Sequence, residues 1–204
     1  STSITTIAQT GTGNILYDQT GSQTLAITSN ATTAAGNLNL TTDGSLALAV
    51  TSVTGDMSLT SNGALTDTGT ITVSGITTLA SGASNDITFN TSSNNFGTVI
   101  ITNGNIVTLE DTNEIILGAS NISGSLAVTA GGGITDSGNV AVAGNVTLTT
   151  DAGNGVINMG TLQQSAGDLI LVTNGNGAAT VVNNAGIDFG TSNVGGALSA
   201  TASA

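Results

Sequence analysis

The feature that most constrains this chain is a long internal repeat. Residues 55–75 read GDMSLTSNGALTDTGTITVSG and residues 124–144 read GSLAVTAGGGITDSGNVAVAG, aligning without a gap at an offset of 69. Thr60, Gly63, Thr66, Asp67, Gly69, Val73 and Gly75 recur as Thr129, Gly132, Thr135, Asp136, Gly138, Val142 and Gly144. A second ungapped match joins 106–130 to 178–202 at an offset of 72, and Ile4-Thr5-Thr6-Ile7-Ala8 matches Ile76-Thr77-Thr78-Leu79-Ala80 at the same offset. A unit that recurs at fixed spacing cannot bury its apolar face alone and does so by stacking on its neighbours. The copies are drawn as a partial one over 1–54, full ones over 55–123 and 124–194, and a new start at 195–204, all within one continuous solenoid over 1–204.

Within 55–123 the apolar residues alternate in short runs: 57–59, 64–66, 71–73, 76–79, 87–89, 98–102, 106–109, 115–117 and 122–123. Period-2 alternation is the mark of a half-buried strand. Gly, Asn, Asp or Ser fills nearly every gap, which is turn chemistry. No stretch holds a 3.6-residue period between caps, so helix is not expected. Nine strands in 69 residues divide into three coils of 23 with three strands each. The expected fold is therefore all-β, a parallel β-helix of about nine coils rising about 4.8 Å each, or a rod on the order of 40 Å. A row of immunoglobulin-like sandwiches is the rival, but such a domain takes about 100 residues and a large core aromatic. This repeat is shorter, and the chain has no Trp.

Composition narrows function mainly by what is missing. There is no Lys, Arg or His, and the twelve acids leave a formal charge of −12. Phosphate neutralisation on nucleic acid needs cations, as does attraction to an anionic membrane surface. Ser-His-Asp, Cys-His and Ser-Lys catalysis each lack a member, and with no Cys or His a structural zinc site lacks its preferred ligands. Disorder is disfavoured because 38% of residues are hydrophobic and Pro is absent. No apolar run approaches the roughly 20 residues of a membrane span, and no signal-peptide pattern is present, so the expectation is a mature or excised piece of a longer protein.

Several acids and threonines are candidate site residues. Asp67 and Asp136 occupy equivalent places in T-D-[TS]-G; a repeated cation ligand is one reading, and an Asx turn capping a corner is the preferred one. Glu110, Asp111 and Glu114 form the densest acidic cluster and are the candidate ligands for Ca²⁺, the one cofactor considered. Thr68, Thr70 and Thr72 suggest an ice-binding row, but Asn39, Ser58, Ile100, Ala127 and Ala141 interrupt the outward positions of other strands. Asp86, Asp111, Asp151 and Asp168 are dispersed singly, without the paired separation that carboxylate hydrolysis needs. No catalytic, cofactor or metal residue is assigned, and the expectation is a protein that is not an enzyme.

The stretches GNLNLTTDG at 36–44, GDMSLTSNG at 55–63, GSLAVTAGG at 124–132 and GNVTLTTDAG at 144–153 share one cadence. A glycine leads two alternating apolar residues and a threonine, and a glycine closes the turn. In this the chain resembles the repeat region of filamentous-haemagglutinin-type adhesins and similar autotransporter passengers. The resemblance implies a right-handed β-helix, export to the bacterial cell surface, and a stalk or fibre that carries a binding region away from the cell. The alternatives are a self-assembling filament subunit and a solenoid face that binds ice or carbohydrate. The expected partners are neighbouring repeats or copies of the chain end to end, with a host or cell-surface glycan or protein as target, and neither nucleic acid nor membrane insertion.

Overall fold

The computed structural model describes residues 2–4, 13–22, 25–27, 32–34 and 36–203. Among them every regular element is a strand, and every strand pairing is parallel. The chain winds as a solenoid with three faces. Face I begins with Ile15–Gln19, Leu38–Thr42 and Met57–Ser61. Face II carries Thr2–Ile4, Leu25–Ile27, Leu46–Leu48, Leu65–Asp67, Ile87–Phe89, Val107–Asp111, Leu126–Ala130, Val146–Thr150 and Leu169–Thr173. Face III carries Thr51–Val53 and, third in chain order after face II in the later coils, Ile115–Leu117, Ile134–Asp136 and Ala179–Asn183; at the changeover Ile116 and Leu117 pair with Thr98 and Val99 as the line shifts across the corner. Face II is a sheet of nine strands in strict sequence order, so the solenoid has about nine turns. Faces I and III join into one network of 14 strands because Ile71–Ala80, Asn95–Asn103 and Ile157–Gln164 run around the corner between them. The corner costs a register shift, between Val73 and Ile76 in the first and between Met159 and Leu162 in the last.

The coils are not of one length. Leu46 sits beside Leu65, a coil of 19, whereas Val146 sits beside Leu169, a coil of 23. Insertions go to the corners: 81–86, 90–94 and 151–156 are turns and bends between regular strands. The strands themselves keep the alternation their sequence predicts, as in Leu126–Ala130 and Val146–Thr150, where every second residue is buried. Inward residues pile over inward residues: Leu65, Ile87, Val107, Leu126, Val146 and Leu169 form one interior ladder, each at most 1% exposed. Hydrophobic burial drives such stacking, and the parallel ladder satisfies the backbone groups that the burial would otherwise strand.

The registers overturn one part of the repeat arithmetic. Between 55 and 123 the chain makes ten strand segments, not nine, because Asn95 and Phe96 form a face III segment. Ten segments are three coils and one face. The offset of 69 therefore carries Met57 on face I to Leu126 on face II, and Asp67 on face II to Asp136 on face III. Each repeat is turned by one face from its predecessor, so the repeat is not three whole turns. The faces tolerate this because all three are built from the same unit, a short alternating strand and a glycine-led turn. The Ile4–Ala8 match lies largely outside the described residues.

Candidate functional site

A chain without cations must satisfy its acids some other way, and the corners show how. Asp67 accepts hydrogen bonds from the backbone N–H of Asn90 and of Thr91, both at 3.2 Å, and from Asn94 Nδ2 at 2.7 Å. Asp136 accepts from the N–H of Gly160 at 2.9 Å, and from the N–H and Oγ1 of Thr161 at 2.6 and 2.8 Å. The partners lie 23 to 27 residues downstream. Each Asp thus caps the corner of the next coil, not its own turn. The two acids are equivalent in sequence and in role, although they stand on different faces.

The same device recurs with amides. Asn14 Oδ1 accepts from Asn37 N at 3.0 Å, Asn37 Oδ1 from Asp56 N at 2.9 Å, and Asp56 Oδ1 from Ile76 N at 2.8 Å. This ladder climbs four coils along one corner. Gly36, Gly55 and Gly75 precede its upper rungs, and a Cβ on Gly55 or Gly75 would collide with the Asn37 or Asp56 oxygen from the coil below. The glycine is required there by the close approach of coils, not by a positive φ. Asp86 serves in the same way at another corner, accepting from Asn105 Nδ2 at 2.9 Å and Ile106 N at 3.1 Å. Counting Asp43, which accepts from Gly21 N at 2.8 Å, and Asp111 below, six of the twelve acids accept backbone N–H groups. A carboxylate held by N–H donors makes charge-assisted bonds, so acidity is built into the coil-to-coil joints. Sequence reading identified turn chemistry at these residues but missed that it acts between coils. The recurrence of Gly-Asn, Gly-Asp and Gly-Ser pairs about every 20 residues was the available signal. Replacing Asp67 with Ala is expected to lower stability by about 1 kcal/mol, the net worth of a modest hydrogen-bond set. Urea unfolding would register the loss, and an unchanged midpoint would show that the joint is decorative.

The acidic cluster does not converge. Glu110 and Asp111 are consecutive in one strand, so their side chains point to opposite sides of the sheet. Asp111 is 2% exposed, whereas Glu110 is half-buried and Glu114 exposed. Asp111 Oδ2 accepts from Phe96 N at 2.6 Å and Oδ1 from Asn113 N at 2.8 Å. Burial pushes its carboxyl above the ordinary value of 3.8, while the two backbone donors pull the other way. Among the described residues no group of three or more acids is placed to hold a metal ion. Asp86, Asp111, Asp151 and Asp168 each lie on a different coil. Thr68, Thr70 and Thr72 likewise divide. Thr68 donates from Oγ1 to Leu48 O at 3.2 Å, Thr70 pairs with Ser93 Oγ, and only Thr72 lies on a regular strand face. A threonine row does exist, but on face II: Thr66, Thr88 and Thr108 stand in register, and Ala127 separates them from Thr147.

No curated protein matches the chain, and no solved structure does. Two successive stretches, 35–103 and 104–182, match one family model described as repeats of unknown function (DUF5649). Each begins about one coil before the copies drawn at 55 and 124, so the model counts the same period from another corner. Those stretches cover well over half of the residues, and the chain belongs to that repeat family.

Proposed function

We propose that this chain is a non-catalytic structural segment, a stalk of an exported bacterial surface adhesin whose length sets a binding region away from the cell. The observation that carries this reading is the unbroken register of face II over nine strands, bolted at successive corners by side chains that reach into the next coil. A stack with hydrogen bonds between every pair of coils resists bending, and nearest-neighbour coupling lets it be extended by adding repeats. The lack of Lys and Arg leaves trypsin-like proteases no cleavage site, which suits a protein exposed outside the cell. The family resemblance read from the glycine-led motifs points the same way.

Two measurements test the proposal. Small-angle X-ray scattering of the purified chain should give an elongated particle with about 40 Å of stacked coils; a spherical particle or a flexible string of beads would end the rod. Antibody against residues 36–203 should stain intact cells that make the parent protein, and staining only after lysis would end the surface assignment.

A further inference from the structure

One part of face I is built differently from the rest. Over coils that contain 120–122, 140–142 and 162–164, its strand segments shorten to three residues. Asn121, Ala141 and Gln163 stand in register, one above another, as the outward residues, and Asn184 follows at the next rung, its N–H bonded to Leu162 O. Two open hollows, about 460 and 370 Å³, flank this row and share Asn121, Ala141 and Gln163 in their walls. Ala141, the smallest side chain of the three, lines both. Asn139, on the neighbouring corner, borders the second hollow, and Ser165 borders the first.

The amides of this row are unspent. Side chains of Asn14, Asn37, Asn105 and Asn145 are committed to neighbouring coils. Those of Asn121, Asn139, Gln163 and Asn184 make no hydrogen bond within the described structure, and Asn121, Asn139 and Asn184 are exposed. Each offers two donors and a carbonyl acceptor. No acid lines either hollow, although the chain carries twelve.

We propose that this axial groove binds an uncharged glycan, with the amides of Asn121, Asn139, Gln163 and Asn184 hydrogen-bonding its hydroxyls and Ala141 giving the ring room to settle. The class follows by elimination on the groove's own chemistry. A net charge of −12 without any cation repels anionic ligands. The lack of carboxylates in the walls gives a cation nothing to pair with. Strands on both sides of each segment leave no free edge for a peptide to join, and no deep apolar pocket offers it an anchor. A hydroxyl-rich neutral chain matches amides that both donate and accept. The rungs recur about every 4.8 Å, close to the length of one sugar unit in an extended chain, so successive amides meet successive sugars. With no aromatic ring in the walls, each contact is weak, and useful avidity comes from many repeats in parallel. The inference does not depend on the stalk proposal; a free solenoid could carry the same groove.

The test is a titration of the ¹⁵N-labelled chain followed through its side-chain NH₂ resonances. The probes are cellohexaose, maltohexaose, laminarihexaose and mannohexaose, with polygalacturonate as the acidic comparison. At least one neutral hexaose should shift the signals of Asn121, Asn139, Gln163 and Asn184, saturating in the millimolar range. Asn39 and Asn158, which are exposed with no side-chain bond elsewhere on the solenoid, should not move. Ala141→Glu should weaken that binding by at least about tenfold while leaving the β-sheet circular dichroism unchanged, and Gln163→Ala provides a second variant if the first misfolds. The inference fails if no neutral hexaose shifts the four amides, if Asn39 and Asn158 shift equally, or if polygalacturonate gives the same response.

Discussion

Phe96→Ala is expected to cost about 3–5 kcal/mol, the range for deleting a large buried ring that its surroundings cannot collapse to fill. Phe96 is 1% exposed and Phe89 fully buried. Their rings stack at 6.3 Å between centroids and 15° between planes. The two come from faces II and III of one coil, so they meet across the interior and brace it from within. Above and below, the same ladder places hold aliphatic side chains: Leu109 stands over Phe89, and Val73 under Phe96. These are anchored in their own coils by backbone ladders and cannot slide into the gap. The loss should also stay local. In a solenoid each coil touches mainly its neighbours, so unfolding need not be all-or-none. Amide hydrogen exchange should show lost protection centred on 65–117, with 140–173 little changed. Pairing the variant with Phe89→Ala should reveal a coupling of about 0.5–1.5 kcal/mol. A cost below about 1 kcal/mol would mean that the rings do not fill the interior as described.

That pair also marks where the sequence could and could not be read. Phe89 sits in Ile87-Thr88-Phe89, an alternating triplet flanked by Asp86 and Asn90, and its strand is plain. Phe96 is a lone apolar residue between Asn95 and Gly97. Local chemistry there reads as turn, yet a strand forms because the segment joins 98–103 around a corner and pairs with Thr72 and Val73 one coil below. Tertiary pairing overrides local preference in sheets more readily than in helices. One missed segment was enough to hide the rotation of the repeat by a face. The acids failed to read for a related reason. T-D-[TS]-G announces a turn, and the turn is there, but the carboxylate's partners are set by coil length, which varies from 19 to 23 with insertions at the corners. No local pattern encodes that Asp67 will meet Asn90 and Thr91. The groove was legible only as a list of unremarkable Asn, Gln and Ala residues, because its meaning lies in which amides the neighbouring coils leave unused.

Asp111→Ala is expected to be the costliest change at a polar residue, and Asp111→Asn to alter how stability responds to acid. The alanine variant strands two backbone N–H groups, those of Phe96 and Asn113, that now bond to the carboxylate. The Phe96 N–H is buried, and an unsatisfied buried donor costs about 1–3 kcal/mol; Asn113 is exposed, so water can take up its N–H at smaller cost. Asparagine keeps one oxygen for Phe96 but turns an NH₂ toward Asn113, so it should lose less. The pH dependence follows from burial, which raises this carboxyl above its ordinary value of 3.8 in the folded chain. The native state then holds the proton more tightly than the unfolded state does. The stability this group contributes is full below 3.8 and is lost as pH rises through the raised native value. Acidifying from neutrality should therefore stabilise the wild-type chain relative to Asp111→Asn, and the difference between their urea midpoints should level off once pH falls below 3.8. If the midpoint difference stays constant across that window, Asp111 titrates as an exposed acid would. If it moves in the opposite sense, the two N–H bonds outweigh desolvation, and ionised Asp111 stabilises the fold.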